Sequence, residues 1–257
     1  MSRMNRTQIR CTALRRPTVL GSVVLFAALC LAGTIWLVVE HEPTDALSKE
    51  DPPAPVVNFD LTRTRAEQGD AAAQNLLGEL YLNGRGIRPD SKIAAKWFTR
   101  SAELGYAPAQ LNLGMLFEAG QGVPVDYARA VEWYRKAAAQ GNPAAQYSLG
   151  VMYVYGRGLQ RDDRESVKWF AQAAEQGHGL SQYALAQRCI VGQGVPEDLT
   201  EAFKWLTLAA SRNIPDAIPA LDGIKSRMSR AQIAEGRKRA RQFAPRSASG
   251  DAAKQVP

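Results

Sequence analysis

The sequence predicts an all-α fold: an α/α solenoid of four 36-residue helix-turn-helix repeats with N- and C-terminal capping helices, preceded by one transmembrane helix. The first observation behind this is a period that never slips. Trp97, Trp133, Trp169 and Trp205 fall in step, as do Gly84, Gly120, Gly156 and Gly192, Gln74, Gln110, Gln146 and Gln182, and Asp90, Asp126, Asp162 and Asp198. A fixed period of this size marks stacked supersecondary units, each burying an apolar face against its neighbours. The second observation is helical spacing of apolar residues between glycine stops, with no segment showing the period-two alternation of a strand. The third is a run of 21 uncharged residues, Val19 to Val39. A repeat of this kind makes a binding scaffold the first expectation and an enzyme the second.

At the N-terminus, residues 1–18 carry Arg3, Arg6, Arg10, Arg15 and Arg16 and no acid, while Glu40, His41 and Glu42 follow the apolar run. Residues 19–39 are long enough to span a bilayer as a helix. Positive-inside bias then leaves residues 1–18 in the cytoplasm and sends the repeats across the membrane. The expected location is a bacterial inner membrane, crossed once, with a periplasmic repeat domain. Two alternatives stay open. Cleavage near the small residues Ala32, Gly33 and Thr34 would release a secreted repeat effector beginning near residue 33, although Ile35 to Val39 prolongs the apolar run past them. A lipid-modified Cys30 would need a small residue where Leu29 stands. Residues 40–57 hold Pro43, Pro52, Pro53 and Pro55 among polar residues and read as a semi-extended linker.

The solenoid is expected over 58–244, with repeats at about 69–104, 105–140, 141–176 and 177–212, a C-terminal cap at 213–244 and a disordered tail at 245–257. Leu61 to Gln68 reads as an isolated second helix. Within a repeat, the third block shows the pattern: Ala144, Ala145, Tyr147, Leu149, Val151, Met152 and Tyr153 are helically spaced, and Gly156 ends the first helix. Asp162 stands where a carboxylate accepts the free N–H groups of the second helix, and Asp162 with Glu165 and Asp198 with Glu201 fit a capping-box spacing. The second helix runs through Trp169 and Phe170 to Gly177; the matching stops are Gly69, Gly105, Gly141 and, in the fourth block, Asn213. Gly78, Gly114 and Gly150, with Ala186 in the fourth block, lie mid-helix, where glycine costs about 1 kcal/mol against alanine. Their recurrence predicts close helix approach, with Ala102, Ala138, Ala174 and Ala210 as facing residues. The tryptophans read as core. Asp216 to about Met228 and Ser229 to about Phe243 read as closing helices, the latter with a Ser229–Gln232 capping box.

These residues resemble the Sel-1-like repeat family, relatives of the tetratricopeptide repeats. The second block carries the resemblance in Ala109-Gln110-Leu111-Asn112-Leu113-Gly114, Gly120-Gln121-Gly122-Val123, Asp126, Ala130 to Ala138 with Trp133-Tyr134, and Gln140-Gly141. The fourth block departs most, with Ala186, Cys189 and Leu206 at signature positions. The resemblance implies a right-handed solenoid and an adaptor that holds other proteins together, often at membranes or bacterial envelopes.

Chemistry is sparse. Blocks 69–213 hold 15 basic and 14 acidic residues, whereas 225–246 sets Lys225, Arg227, Arg230, Arg237, Lys238, Arg239, Arg241 and Arg246 against Glu235 alone. That basic end suits anionic headgroups, cell-wall polymers, an acidic partner or merely solvent. Cys11, Cys30 and Cys189 cannot pair within one exported domain. His41 and His178 are the two histidines, and His178 sits in an inter-repeat turn. The Gly-x-Gly pairs lack the strand and longer glycine pattern of a phosphate loop. No cofactor, metal, nucleic acid or catalytic residue is expected, and a cell-wall-binding or enzyme-like envelope protein is the rival reading. The expected partner is another protein or peptide of the envelope or membrane. Its site is expected on first-helix positions that vary between blocks and share one face at i, i+3 and i+7: Leu76, Asn112 and Ser148; Glu79, Met115, Val151 and Gln187; Asn83 and Tyr155.

Overall fold

The computed structural model describes residues 58–246. The expected N-terminus, transmembrane helix, linker and most of the tail lie outside them. Among the described residues every regular element is an α-helix, and none is long and apolar enough to cross a membrane.

An isolated second helix opens the stack, as its sequence predicts: α1 (Phe59–Glu67). Four helix pairs follow, each helix 13 residues long. They are α2 (Ala71–Asn83) with α3 (Ser91–Glu103), α4 (Ala107–Ala119) with α5 (Tyr127–Ala139), α6 (Pro143–Tyr155) with α7 (Asp163–Glu175), and α8 (Gly179–Val191) with α9 (Leu199–Ser211). Two helices close it, α10 (Ala217–Lys225) and α11 (Arg230–Gln242). Helix α10 stops three residues short of the expected Met228. Arg227 and Met228 donate N–H to Ile224 and Lys225, one residue nearer than in an α-helix, and this tight turn delivers Ser229 to its cap. The Ser229–Gln232 capping box forms in both directions.

Each second helix starts on the expected aspartate. Asp162 accepts from the N–H groups of Arg164 and Glu165, and Asp198 from those of Thr200 and Glu201. The reciprocal half of the expected box is not made. The aspartate N–H is already committed to the first helix, from Asp162 to Tyr153 O at 3.1 Å and from Asp198 to Cys189 O at 3.0 Å. Glu165 turns instead to Lys168, and Glu201 to Lys204 and Arg239.

The mid-helix glycines mark a close approach, but their facing groups are not the expected alanines. A Cβ on Gly78 would lie 2.7 Å from Phe98, and one on Gly114 would lie 2.6 Å from Tyr134; Gly150 meets Phe170 in the same way. These rings, not the tryptophans, are the fully buried aromatics of the repeat. Trp97, Trp133 and Trp169, one residue earlier, are half-buried, and only Trp205 is fully enclosed. Arg100 and Lys136 lie over the first two rings at 4.6 and 3.8 Å. The reason is angular: adjacent helical positions differ by about 100°, so a stripe one residue wide faces the first helix and its neighbour meets the rim. The fourth repeat changes both partners together, with Ala186 against Leu206, both fully buried.

Two further register positions tie repeat to repeat. A Cβ on Gly122, Gly158 or Gly194 would collide with the carbonyl of Ser91, Tyr127 or Asp163, at the start of the preceding second helix. Gly86 meets nothing, since no such pair precedes it. The buried glutamines donate from Nε2 to the end of the previous helix, with Gln74 reaching Ala66 O at 3.0 Å and Gln110 reaching Ala102 O at 3.1 Å. Gln110 and Gln146 each accept in turn from Gln140 and Gln176 at 2.8 Å. Leu104 occupies that register position beside Gln74 and Arg212 beside Gln182, and the Oε1 atoms of Gln74 and Gln182 have no partner.

Two predictions follow from this packing. Gly78→Ala should destabilise the solenoid by about 1–3 kcal/mol, against its helix propensity, because the ring cannot retreat in a filled core. Phe98→Leu in the same chain should recover part of that loss, and a chemical-denaturation double-mutant cycle reads it; a neutral single substitution would refute the contact. Leu104→Gln should raise stability by about 1 kcal/mol by satisfying Gln74 Oε1 at the expense of a side chain that is 59% exposed. An unchanged or lowered denaturation midpoint would count against that bond.

Candidate interaction face

The site expected from the sequence lies on α2, α4, α6 and α8, the first helices of the four pairs. The frame of each is made by its buried positions, leaving Leu76, Glu79, Asn112, Ser148, Val151 and Gln187 half-buried and Asn83, Met115 and Tyr155 exposed. Met115 and Tyr155 are 51% and 66% exposed, large values for apolar and aromatic side chains. Val191, at the register position of Tyr155, is as open, and so is much of Leu180 at the start of α8.

The structure divides these residues by what their polar groups already do. Asn112 of α4 donates to Asn75 Oδ1 on α2 at 2.9 Å and lies 3.4 Å from Glu79 Oε1, while Asn75 donates to Glu79 at 2.8 Å. Glu79 and Asn112 therefore join neighbouring first helices through Asn75, a buried residue absent from the sequence-derived set. Ser148 sits beside the phenol of Tyr134, whose hydroxyl donates to Glu118 at 2.7 Å. Burial, then the hydrogen bond and charge of Glu118, push the Tyr134 phenol far above its ordinary value, so it remains a neutral donor. Ser148 thus faces into the stack toward Tyr134.

What remains open is a mixed apolar and aromatic surface across repeats two and three. At its edge Arg157 packs its guanidinium 5.2 Å from the Tyr155 ring and 5.7 Å from the Tyr127 ring, and reaches Glu118 at 3.6 Å. Glu118, Tyr127 and Arg157 come from three segments, the end of α4, the start of α5 and the turn after α6. They were not among the expected residues. Arg157 had a legible signal, since the middle residue of the Gly-x-Gly turn varies as Arg85, Gln121, Arg157 and Gln193.

His178 Nδ1 lies 2.8 Å from Ser181 Oγ, but the Ser181 side chain is fully buried, and burial holds the imidazole below its ordinary value. Among the described residues no group of three or more His, Cys, Asp or Glu converges as a metal site. Cys189 is buried and unpaired, its thiol pushed up to about 11 by burial and the nearby carboxylates of Glu201 and Asp198. A cleft of about 350 Å³ lies elsewhere, between the second-helix side and the C-terminal cap, lined by residues including Trp205 and Phe243. Its cations are occupied: Lys204 and Arg239 by Glu201, and Arg246 by Glu175.

Comparison with known proteins agrees with this framework. The Sel1 repeat family matches four consecutive segments, 71–106, 107–142, 143–178 and 179–214, each opening on a first helix. The fold is similar to that of a protective antigen present in uropathogenic Escherichia coli strains, described as displaying an SLR fold. The TM-score is 0.65 at 40% identity, over 72% of this chain and 41% of the antigen. The match therefore spans less than half of that protein. A Sel1 repeat protein from Oxalobacter formigenes is similar at 30% identity with a TM-score of 0.63, over 73% of this chain and 76% of its own. No curated protein matches the chain.

Proposed function

The chain belongs to the Sel1 repeat family, whose members are protein–protein interaction scaffolds, and from that premise we propose that it presents its first-helix face to another protein of the cell envelope. The observation that supports this most is the exposure of Met115 and Tyr155 on first helices where Glu79 and Asn112 are instead tied into the frame. Methionine adapts its shape to a partner, and tyrosine adds a rigid ring with a polar tip at low entropic cost. Val151 and Gln187 extend the face, and Arg157 borders it with a charge already oriented by two rings. The scaffold acts by presentation: packed helix pairs hold the face in one geometry, so little ordering is lost on binding.

The proposal includes location. Residues 19–39 anchor the chain once in a bacterial inner membrane, residues 1–18 stay in the cytoplasm, and the repeats face the periplasm. Its support is the 21-residue uncharged run with five arginines before it and Glu40 and Glu42 after it. An anchor confines the search for a membrane-associated partner to two dimensions.

Crosslinking and capture from membranes should recover a partner with the wild-type chain and at least tenfold less of it with Met115→Ala/Tyr155→Ala, while thermal stability stays within about 0.5 kcal/mol because both side chains are exposed. Equal recovery would dismiss this face as the site. A compartment-sensitive reporter fused after Val57 should be active only in the periplasm, and cytoplasmic activity there would end the proposed topology.

A further inference from the structure

Helix α11 separates its charges into used and unused. Arg239 is used: it reaches Glu235 at 3.0 Å and Glu201 of α9 at 3.2 Å, clamping the helix to the last repeat. Arg230, Arg237, Lys238 and Arg241 are exposed and make no ion pair or hydrogen bond. At about 100° per residue these four fall within an arc of roughly 100°, shared only with Ala234. They extend over eleven residue steps, on the order of 16 Å along the axis. The one acid of the helix, Glu235, lies off this arc and is bound to Arg239. Ile233, Gly236 and Ala240 face the other way, with the Gly236 backbone close against Phe203. The apolar side of the helix is therefore spent on the fold, and its outward arc carries four free cations around Ala234.

We propose that this face docks on the acidic headgroups of a lipid bilayer. Its composition selects against other anions. A protein interface draws its energy from buried aromatic and apolar anchors, and a single strand of nucleic acid stacks on aromatic rings. The arc offers neither. Four cations on a helix that cannot insert suit a surface that supplies many phosphates without demanding shape, and each contributes additively close to such a surface. A bilayer is also the anionic surface this chain keeps within reach, a point that rests on the anchoring proposed above. The 18 residues from Glu40 to Val57 span at most about 65 Å, so α11 meets the same membrane at high effective concentration. The contact fixes which way the solenoid faces, and so where Met115 and Tyr155 are offered.

The test uses the full chain with Cys11 and Cys30 replaced by serine and a donor fluorophore on Ala234→Cys; Cys189 is buried and does not compete for label. The chain is reconstituted into vesicles of phosphatidylcholine, alone or with about 30 mol% phosphatidylglycerol, carrying an acceptor lipid. Energy transfer should be high in the acidic vesicles and fall to the phosphatidylcholine level as salt rises from about 0.1 M to about 1 M. In Arg237→Gln/Lys238→Gln/Arg241→Gln, the ratio of docked to undocked chain should drop by about a hundredfold. Equal transfer in the two vesicles, or in the wild type and the triple variant, would overturn the proposal. Loss of transfer to a duplex oligonucleotide at about 0.15 M salt would overturn the choice of bilayer in favour of nucleic acid. Flotation through about 1 M salt reads the anchor separately. A chain that fails to float is not anchored, yet its salt-sensitive transfer to acidic vesicles still decides the role of α11.

Discussion

The two helices of each repeat meet where an aromatic ring occupies the space that a side chain would otherwise fill. Gly78, Gly114 and Gly150 give up helix propensity so that Phe98, Tyr134 and Phe170 can pack against a bare backbone. The rest of the stack follows from that approach. It draws the aspartate N–H of the connecting turn onto the first helix, which sets the start of the second. It also aligns the turn so that Gly122, Gly158 and Gly194 can press on the preceding pair. A ring so placed removes substantial apolar area from water, about 2–3 kcal/mol for each, and does so four times in register with Leu206 standing in for the last ring.

A frame built by recurring residues leaves function to those that do not recur, although not all of them are free. Asn112 and Glu79 differ from block to block because they make a local bond between particular neighbours, and Ser148 differs because it serves one tyrosine. Met115 and Tyr155 satisfy no such need. Variation within a repeat array therefore marks two populations, local joints and open contacts, and side-chain partners distinguish them.

Charge is distributed along the same principle. The repeats are nearly neutral, and ion pairs such as Glu118 with Arg157 and Arg188 with Asp163 join neighbouring segments of the stack. Among the described residues, unpaired cations gather on one arc of α11, while Arg239 and Gly236 of the same helix hold it against α9. A terminal cap has one face toward the stack and one toward its surroundings, so it can carry a surface property that an internal repeat could not without repeating it.

Much of this was legible in the sequence. The period, the helix pairs, the caps at Asp90, Asp126, Asp162 and Asp198, the half-repeat at α1 and the left-handed Asn213 all depend on local backbone geometry, which neighbouring residues determine. Only tertiary structure decided which ring fills the core, what the second turn glycine of repeats two to four presses against, and which candidate residues at the interaction face were already taken. Those outcomes turn on a 100° rotation between adjacent positions and on contacts about 16 to 37 residues apart, from Tyr134 to Glu118 and from Asn112 to Asn75. A periodic sequence specifies what each unit is made of. The distances between units determine which of its side chains remain unsatisfied and exposed, and those are the ones available to a partner.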